Sequence, residues 1–206
     1  MPVQLDIPLA EAELVIVDIE TTGITPPIAK ITEIAAVKIR GGEIDLELAQ
    51  LVDPGCPIPP HITQMTGISN TLVAGQPSVG AVWPYFRSFI GDAVLVAHNA
   101  SFDLGFLDHT SFELTGEPLP NPELCTVKLS RKAWPWMERH NLDTVAGNLG
   151  LTFADRHRAL SDARVTAQVL LEAIPLLATH GIHTLGEALR KQRSARCHQR
   201  LSLLAG

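Results

Sequence analysis

The chain has 206 residues, 46% of them hydrophobic and 18% charged, enough for one ordinary domain with a sizeable core and unlike a disordered chain. Its formal net charge of −6 argues against a surface that wraps a nucleic-acid backbone over its whole extent, but not against a local basic groove. Three widely spaced cysteines, Cys56, Cys125 and Cys197, form no CxxC pair; they suggest neither a disulfide framework nor a zinc site, and a cytoplasmic location is expected.

The opening residues, MPVQLDIPLAEAEL, lack the basic region and long apolar core of a secretory signal. No stretch reaches the roughly 20 apolar residues of a membrane helix, so no membrane association is expected. A first strand is predicted over 13–21 and a second over 30–40 (KITEIAAVKIR). The Gly41-Gly42 pair signals a tight turn into a third strand from 43 to about 52, giving an antiparallel meander. DPGCPIPP (53–60) breaks the pattern, and a short helix near 61–65 is closed by Gly67. A helix follows within 78–91, with Ser78 as N-cap, Gly91 as stop and Pro84 as a blemish.

AVLVAHN (93–99) is a short apolar run with polar residues at its end, the pattern of a central parallel strand. Helices are predicted over about 100–114, 126–134, 142–150 and 160–178, with LCTV (124–127) as one more short strand. Strands dominate early and strand-helix alternation dominates late, which gives an α/β fold with helices packed on a mixed sheet. A domain over 10–180 is expected, followed by a tail over 181–206. From Leu189 that tail reads LRKQRSARCHQR, with five basic and no acidic residues, and LGEALRKQRSARCHQRLSLL has the makings of a partly amphipathic helix.

Three acidic motifs stand out. In VIVDIETTG, Asp18 and Glu20 point to one face of a strand, roughly 6–7 Å apart along the chain. A divalent cation between them would relieve their repulsion, and hard oxygen ligands suit magnesium or manganese; the exposed end of a strand would explain them equally well. In HNASFD, Asp103 follows the apolar strand at a helix start, where functional groups gather and where a lone Asp also complements the helix dipole. In HRALSDA, a five-residue separation on one helix would set His157 and Asp162 about 140° apart. His157 is therefore placed in the preceding loop and Asp162 in the first turn, from which both can reach one point. Alone, this pair reads as a solvated His and an N-terminal helix charge.

Together, D-x-E, H-N-x3-D and H-x4-D in this order resemble the DEDD exonuclease superfamily in its His-containing branch. The similarity extends to the epsilon proofreading subunits of bacterial DNA polymerase III and their stand-alone relatives, over about residues 13–175. Supporting segments are ITEIAAVKI, ITQMTGIS, LVAHNASFDLGFL, NLDTVAGNLGL and HRALSDARVTAQVL. The resemblance implies a ribonuclease H-like fold with a five-stranded mixed sheet flanked by helices. It implies two divalent cations, Mg2+ or Mn2+, held by Asp18, Glu20, Asp103 and Asp162, with His157 as general base. It places Thr21, Thr22 and Gly23 beside the terminal nucleotide. His98 and Asn99 become donors to its sugar or phosphate, Phe102 a stacking or wedging residue, and Met65 a weaker base contact. Core packing, a cap or a satisfied buried histidine are the structural alternatives for Met65, Phe102, Thr22 and His98. The other histidines read as surface or packing residues, and Trp83, Trp134 and Trp136 as core or satellite packing rather than base platforms.

The activity implied is 3′-to-5′ hydrolysis of single-stranded DNA ends, releasing nucleoside 5′-monophosphates in proofreading or repair. Trimming of RNA ends is the alternative within the same chemistry, although ETTG looks more like the proofreading branch than the EMTG of oligoribonucleases. A polymerase-bound accessory domain, docked through the basic tail, is the alternative of another class.

Overall fold

The fold was obtained as a computed structural model, which describes residues 4–192. A five-stranded sheet runs in the order β3-β2-β1-β4-β5. Strands β1 (Leu14–Thr21), β2 (Ile31–Arg40) and β3 (Glu43–Leu51) form the predicted antiparallel meander. Gly41 and Gly42 turn the β2–β3 corner with φ of 56° and 80°, a left-handed pair that side chains resist. Strand β4 (Val94–Ala97) lies parallel to β1 on one side and to β5 (Glu123–Cys125) on the other. Its four residues are all buried, as their unbroken apolar run requires.

Among the described residues eight α-helices accompany the sheet: α1 (Pro60–Thr66), α2 (Asn70–Val73), α3 (Val79–Ile90), α4 (Asp103–Thr115), α5 (Thr126–Ala133), α6 (Leu142–Asn148), α7 (Ala159–Thr179) and α8 (Leu185–Lys191). Helix α3 runs through Pro84, whose ring lies on the exposed side where water can hydrate the freed carbonyl. Helix α4 starts three residues later than expected, because residues 98–102 form turns around Asn99, at φ 65°. Trp83 and Trp134 are buried as expected; Trp136, expected to pack, is instead 69% exposed in the loop after α5.

The alternation of β1 divides the core. Leu14 and Ile16 join Ala35, Val37, Val94 and Val96 under α5, α6 and α7. Val15, Val17 and Ile19 join Ile34, Ala36 and Leu95 under α3 and α4. Asp18 and Glu20 continue the first of these rows, so period 2 aims both carboxylates at the face covered by α7. On α7, Ala159, Ala163 and Ala167 are spaced by four and wholly buried against this face. Small side chains let the helix axis approach β1 and β2 closely, which brings its first turn over the end of β1.

Helix α8 extends the same core through Leu185 and Ala188, beyond the predicted boundary near residue 180. A capping box between Thr184 and Glu187 starts it, and Leu185 and Gly186 donate to the carbonyls of Ile7 and Leu5. Gln192 then caps the β5 edge, accepting from the Cys125 N–H at 2.9 Å and donating to the Glu123 carbonyl. The remaining basic residues Arg193, Arg196 and Arg200 lie outside the described residues, as does Cys197. No helix among the described residues is long and apolar enough to cross a membrane.

Ala163→Leu tests the close approach of α7. The added bulk should destabilise the fold by about 1–3 kcal/mol in urea unfolding, through overpacking. It should also weaken Mn2+ binding in calorimetry, because the helix carrying Asp162 is pushed outward.

Candidate active site

Three elements meet at the C-terminal ends of β1 and β4. Strand β1 supplies Asp18 and Glu20, and the first turn of α7 supplies Asp162. Ligand oxygens of these three residues lie within 4.8 Å of one another. Asp103, the first residue of α4, reaches the same place from the opposite face of the sheet; its Oδ1 accepts the Ile19 N–H at 3.2 Å. That bond fixes Asp103 to the strand between the other two acids. Asp103 and Asp162 are both 4% exposed.

Crowding and burial raise the proton affinity of all four. Burial pushes the Glu20 carboxyl up to about 8, helped by Asp162 and by Glu33 directly across the β1–β2 pair. Burial lifts Asp103 to about 7 and Asp162 to about 6. Asp18 is raised as well, by burial first and then by Asp103, Asp162 and Glu20. Asp162 Oδ1 is buried and takes no hydrogen bond of normal geometry among the described residues. A converging set of hard oxygen donors with one orphaned buried oxygen fits a divalent cation.

His157 lies in the loop before α7, as its spacing required, and is half-buried. It is not among the groups whose ligand atoms converge. Its φ of 63° and that of Asn99 are the two positive values at non-glycine residues among those described, and both flank this site. Backbone strain of this kind concentrates at functional sites. The His157 imidazole is held below its ordinary pKa by partial burial and then by Arg156.

The flanking residues divide. Thr22 closes the loop after β1: its N–H donates to the Lys30 carbonyl at 2.8 Å and its Oγ1 accepts the Lys30 N–H at 2.9 Å. Thr21 donates its hydroxyl to the Gly23 carbonyl. A Cβ on Gly23 would meet Ala29 Cβ at 3.3 Å, a tight contact to which Ala29 would have to yield by a few tenths of an ångström. Phe102 packs one side on Phe106, with ring centroids 5.2 Å apart. Asn99 is exposed, and Met65, 49% exposed on α1, is not a core residue.

His98, read either as a donor to the terminal sugar or phosphate or as a satisfied buried histidine, has partners within the chain for both ring nitrogens. Its Nδ1 pairs with Thr126 Oγ1 and its Nε2 with the His140 carbonyl, each at 2.9 Å. The carbonyl partner requires a proton on Nε2, which makes Nδ1 the acceptor. Burial holds its pKa down at about 4, so the ring is neutral. The side chain ties the end of β4 to α5 and to the loop before α6, and both nitrogens are already engaged.

Two basic residues were missed by motif reading. Arg158 forks onto Glu33, through Nε at 3.1 Å and Nη2 at 2.8 Å, and the Ala159 N–H donates to the same carboxylate at 2.9 Å. Glu33 is thus a clamp between β2 and the start of α7, and Arg158 offsets part of the Glu33 charge that faces Glu20. The signal was a single Glu inside the apolar run of ITEIAAVKI, since an acid is rarely buried without a partner. Arg156 contacts Asp162 and Asp143; no spacing rule marked it.

Comparison with known proteins agrees with this geometry. The exonuclease family profile, of RNase T type, matches residues 15–170. The DNA polymerase III subunit epsilon of Aquifex aeolicus is 36% identical over 166 residues, covering 81% of this chain and 82% of that one. A PolC-type DNA polymerase III of Clostridium perfringens is 44% identical over 158 residues. That match covers 77% of this chain, which spans only 11% of the polymerase's length. Exonuclease X, solved in complex with 5′ overhanging duplex DNA, superposes with a TM-score of 0.69 at 30% identity, covering 87% of this chain and 99% of that one. The fold is also that of E. coli exonuclease I bound to a dT13 oligonucleotide, at a TM-score of 0.69 and 15% identity, covering 78% of this chain and 40% of that one.

Glu33→Gln should cost about 1–3 kcal/mol in urea unfolding, because the Arg158 pair and the Ala159 bond weaken together. The carboxylates also set a pH dependence. Asp103 and Glu20 bind protons more tightly folded than unfolded, so the stability they contribute is lost as pH rises through about 7 and about 8. The depressed histidines act with the opposite sign, but their titration in the unfolded state, around pH 6.5, is nearly complete by about pH 7.5. The Tm in chelator should therefore fall between about pH 7.5 and 9, and added Mn2+ should reduce that fall.

Proposed function

Because the chain belongs to the exonuclease family, we propose that it is a metal-dependent 3′-to-5′ exonuclease. It hydrolyses phosphodiester bonds at the 3′ ends of single-stranded DNA and releases nucleoside 5′-monophosphates, in proofreading or repair. The convergence of Asp18, Glu20 and Asp162, with Asp103 anchored beside them, is the observation that carries this reading. The epsilon subunit and exonuclease X, covered over most of their lengths, support it.

Asp18, Glu20 and Asp162 would hold one Mg2+ or Mn2+, and Asp18 with Asp103 a second. Bound there, two cations supply charge neutralisation at the phosphate and acidify a water molecule. The residues themselves do the rest. Strand β1 fixes the separation of Asp18 and Glu20, and the Ile19 N–H fixes Asp103 against it. His157 accepts the proton of the attacking water on a ring nitrogen; its depressed pKa keeps that nitrogen free at neutral pH. The loop at Thr21, Thr22 and Gly23 borders the terminal nucleotide. Asn99 offers a side-chain donor to the sugar or phosphate, the free side of Phe102 a stacking surface, and Met65 an apolar base contact.

A degradation assay tests this. Matched 5′-labelled single-stranded DNA and RNA are incubated with Mg2+, Mn2+ or chelator. Metal-dependent laddering of DNA from the 3′ end, abolished in Asp18→Ala, is expected. Preference for RNA would move the assignment to RNA trimming, and no laddering of either would overturn it. His157→Ala should lower kcat by about 10²–10⁴-fold with Mn2+ binding unchanged. In the wild-type pH–rate profile the acid limb should lie below pH 6.5, since only neutral His157 accepts a proton and its pKa is depressed.

A further inference from the structure

Arg156 has a position that neither fold nor motif accounts for. Its Nη1 donates to Asp162 Oδ2, within the carboxylate cluster. The same guanidinium is tethered outside the cluster by Asp143, in the first turn of α6. Nε meets Oδ1 at 2.6 Å and Nη2 meets Oδ2 at 3.2 Å. Beneath it the Phe153 ring centroid lies 4.7 Å from the guanidinium carbon. Two of these anchors, Asp143 and Phe153, take no part in the cluster. Only the third, Asp162, is shared with it.

Among the described residues no other basic side chain forms an ion pair with Asp18, Glu20, Asp103 or Asp162. Arg158, the other arginine nearby, is committed to Glu33. Four crowded carboxylates need positive charge, and a single guanidinium offsets only part of it. We propose that Arg156 is the internal counter-cation of the metal-free site. It holds Asp162 until a divalent cation takes that carboxylate, then yields while remaining tethered on Asp143 and Phe153. A guanidinium at Asp162 therefore opposes cation binding. A residue that merely oriented Asp162 for the metal would favour it, so the two roles predict effects of opposite sign.

The inference rests on the cluster being a metal site, and calorimetry with Mn2+ alone separates the two claims. Wild type is titrated first; absence of binding would overturn the metal reading and this inference with it. Given binding, Arg156→Gln should bind Mn2+ more tightly, on the order of tenfold, through loss of a repelling charge. Arg164→Gln, which removes an exposed arginine paired with Glu47, is the control for net charge and should leave the affinity unchanged. The Mn2+-induced rise in Tm should be larger for Arg156→Gln than for wild type, which confirms a folded variant by a second readout. Unchanged or weaker Mn2+ binding in Arg156→Gln, or an equal gain in Arg164→Gln, would overturn the assignment.

Discussion

Repulsion among carboxylates is the constraint around which this molecule is organised. Asp18, Glu20, Asp103 and Asp162 stand together at the buried ends of two strands, where burial and then neighbouring carboxylates make Asp18 and Glu20 hard to ionise. An arrangement of that kind persists only if the surrounding structure over-determines it. Here it does so by several independent fastenings: the Ile19 N–H holds Asp103, the Glu33–Arg158 clamp holds the start of α7, and Arg156 bridges Asp162 to α6. The cluster is crowded electrostatically and secured mechanically.

The sheet explains why the acids arrive from two directions. Strand β1 buries both faces, so the helices on either side can each deliver a residue to its end. Helix α7 delivers Asp162 to the face that Asp18 and Glu20 already share, across a layer thinned by Ala159, Ala163 and Ala167. Helix α4 delivers Asp103 from the other face, around the tip of the strand. The turn at 98–102, with Asn99 in the left-handed region, sets where α4 begins and so where Asp103 lands. Packing on both faces and chemistry at the edge are thus one geometric solution.

Several residues show where sequence reasoning succeeded and where it could not. The meander was legible because period 2, the Gly41-Gly42 turn and the apolar runs all agreed. His157 was placed in a loop by helical geometry alone, and the structure has it there. His98 takes the alternative of a satisfied buried histidine, and its partners, Thr126 and the His140 carbonyl, are 28 and 42 residues distant. Nothing local to HNASFD announces them. Trp136 was expected to pack, yet a large apolar side chain can remain exposed when the chain leaves a helix just before it. Arg156 and Arg158 flank a motif histidine, and their neighbours in the chain do not identify Asp143, Asp162 or Glu33 as their partners.

The sequence by itself determined most of the elements, the face of β1 on which Asp18 and Glu20 stand, and the types of residue at the site. Those properties follow from local periodicity, turn chemistry and side-chain identity, which act over a few residues. Tertiary structure decided which charges meet. Glu20 faces Glu33 because of a strand register, and Asp162 reaches Asp18 because α7 lies close over small residues. Arg156 enters the cluster because α6 presents Asp143 beside it. Electrostatic effects depend on distance through space, and only the folded chain sets those distances.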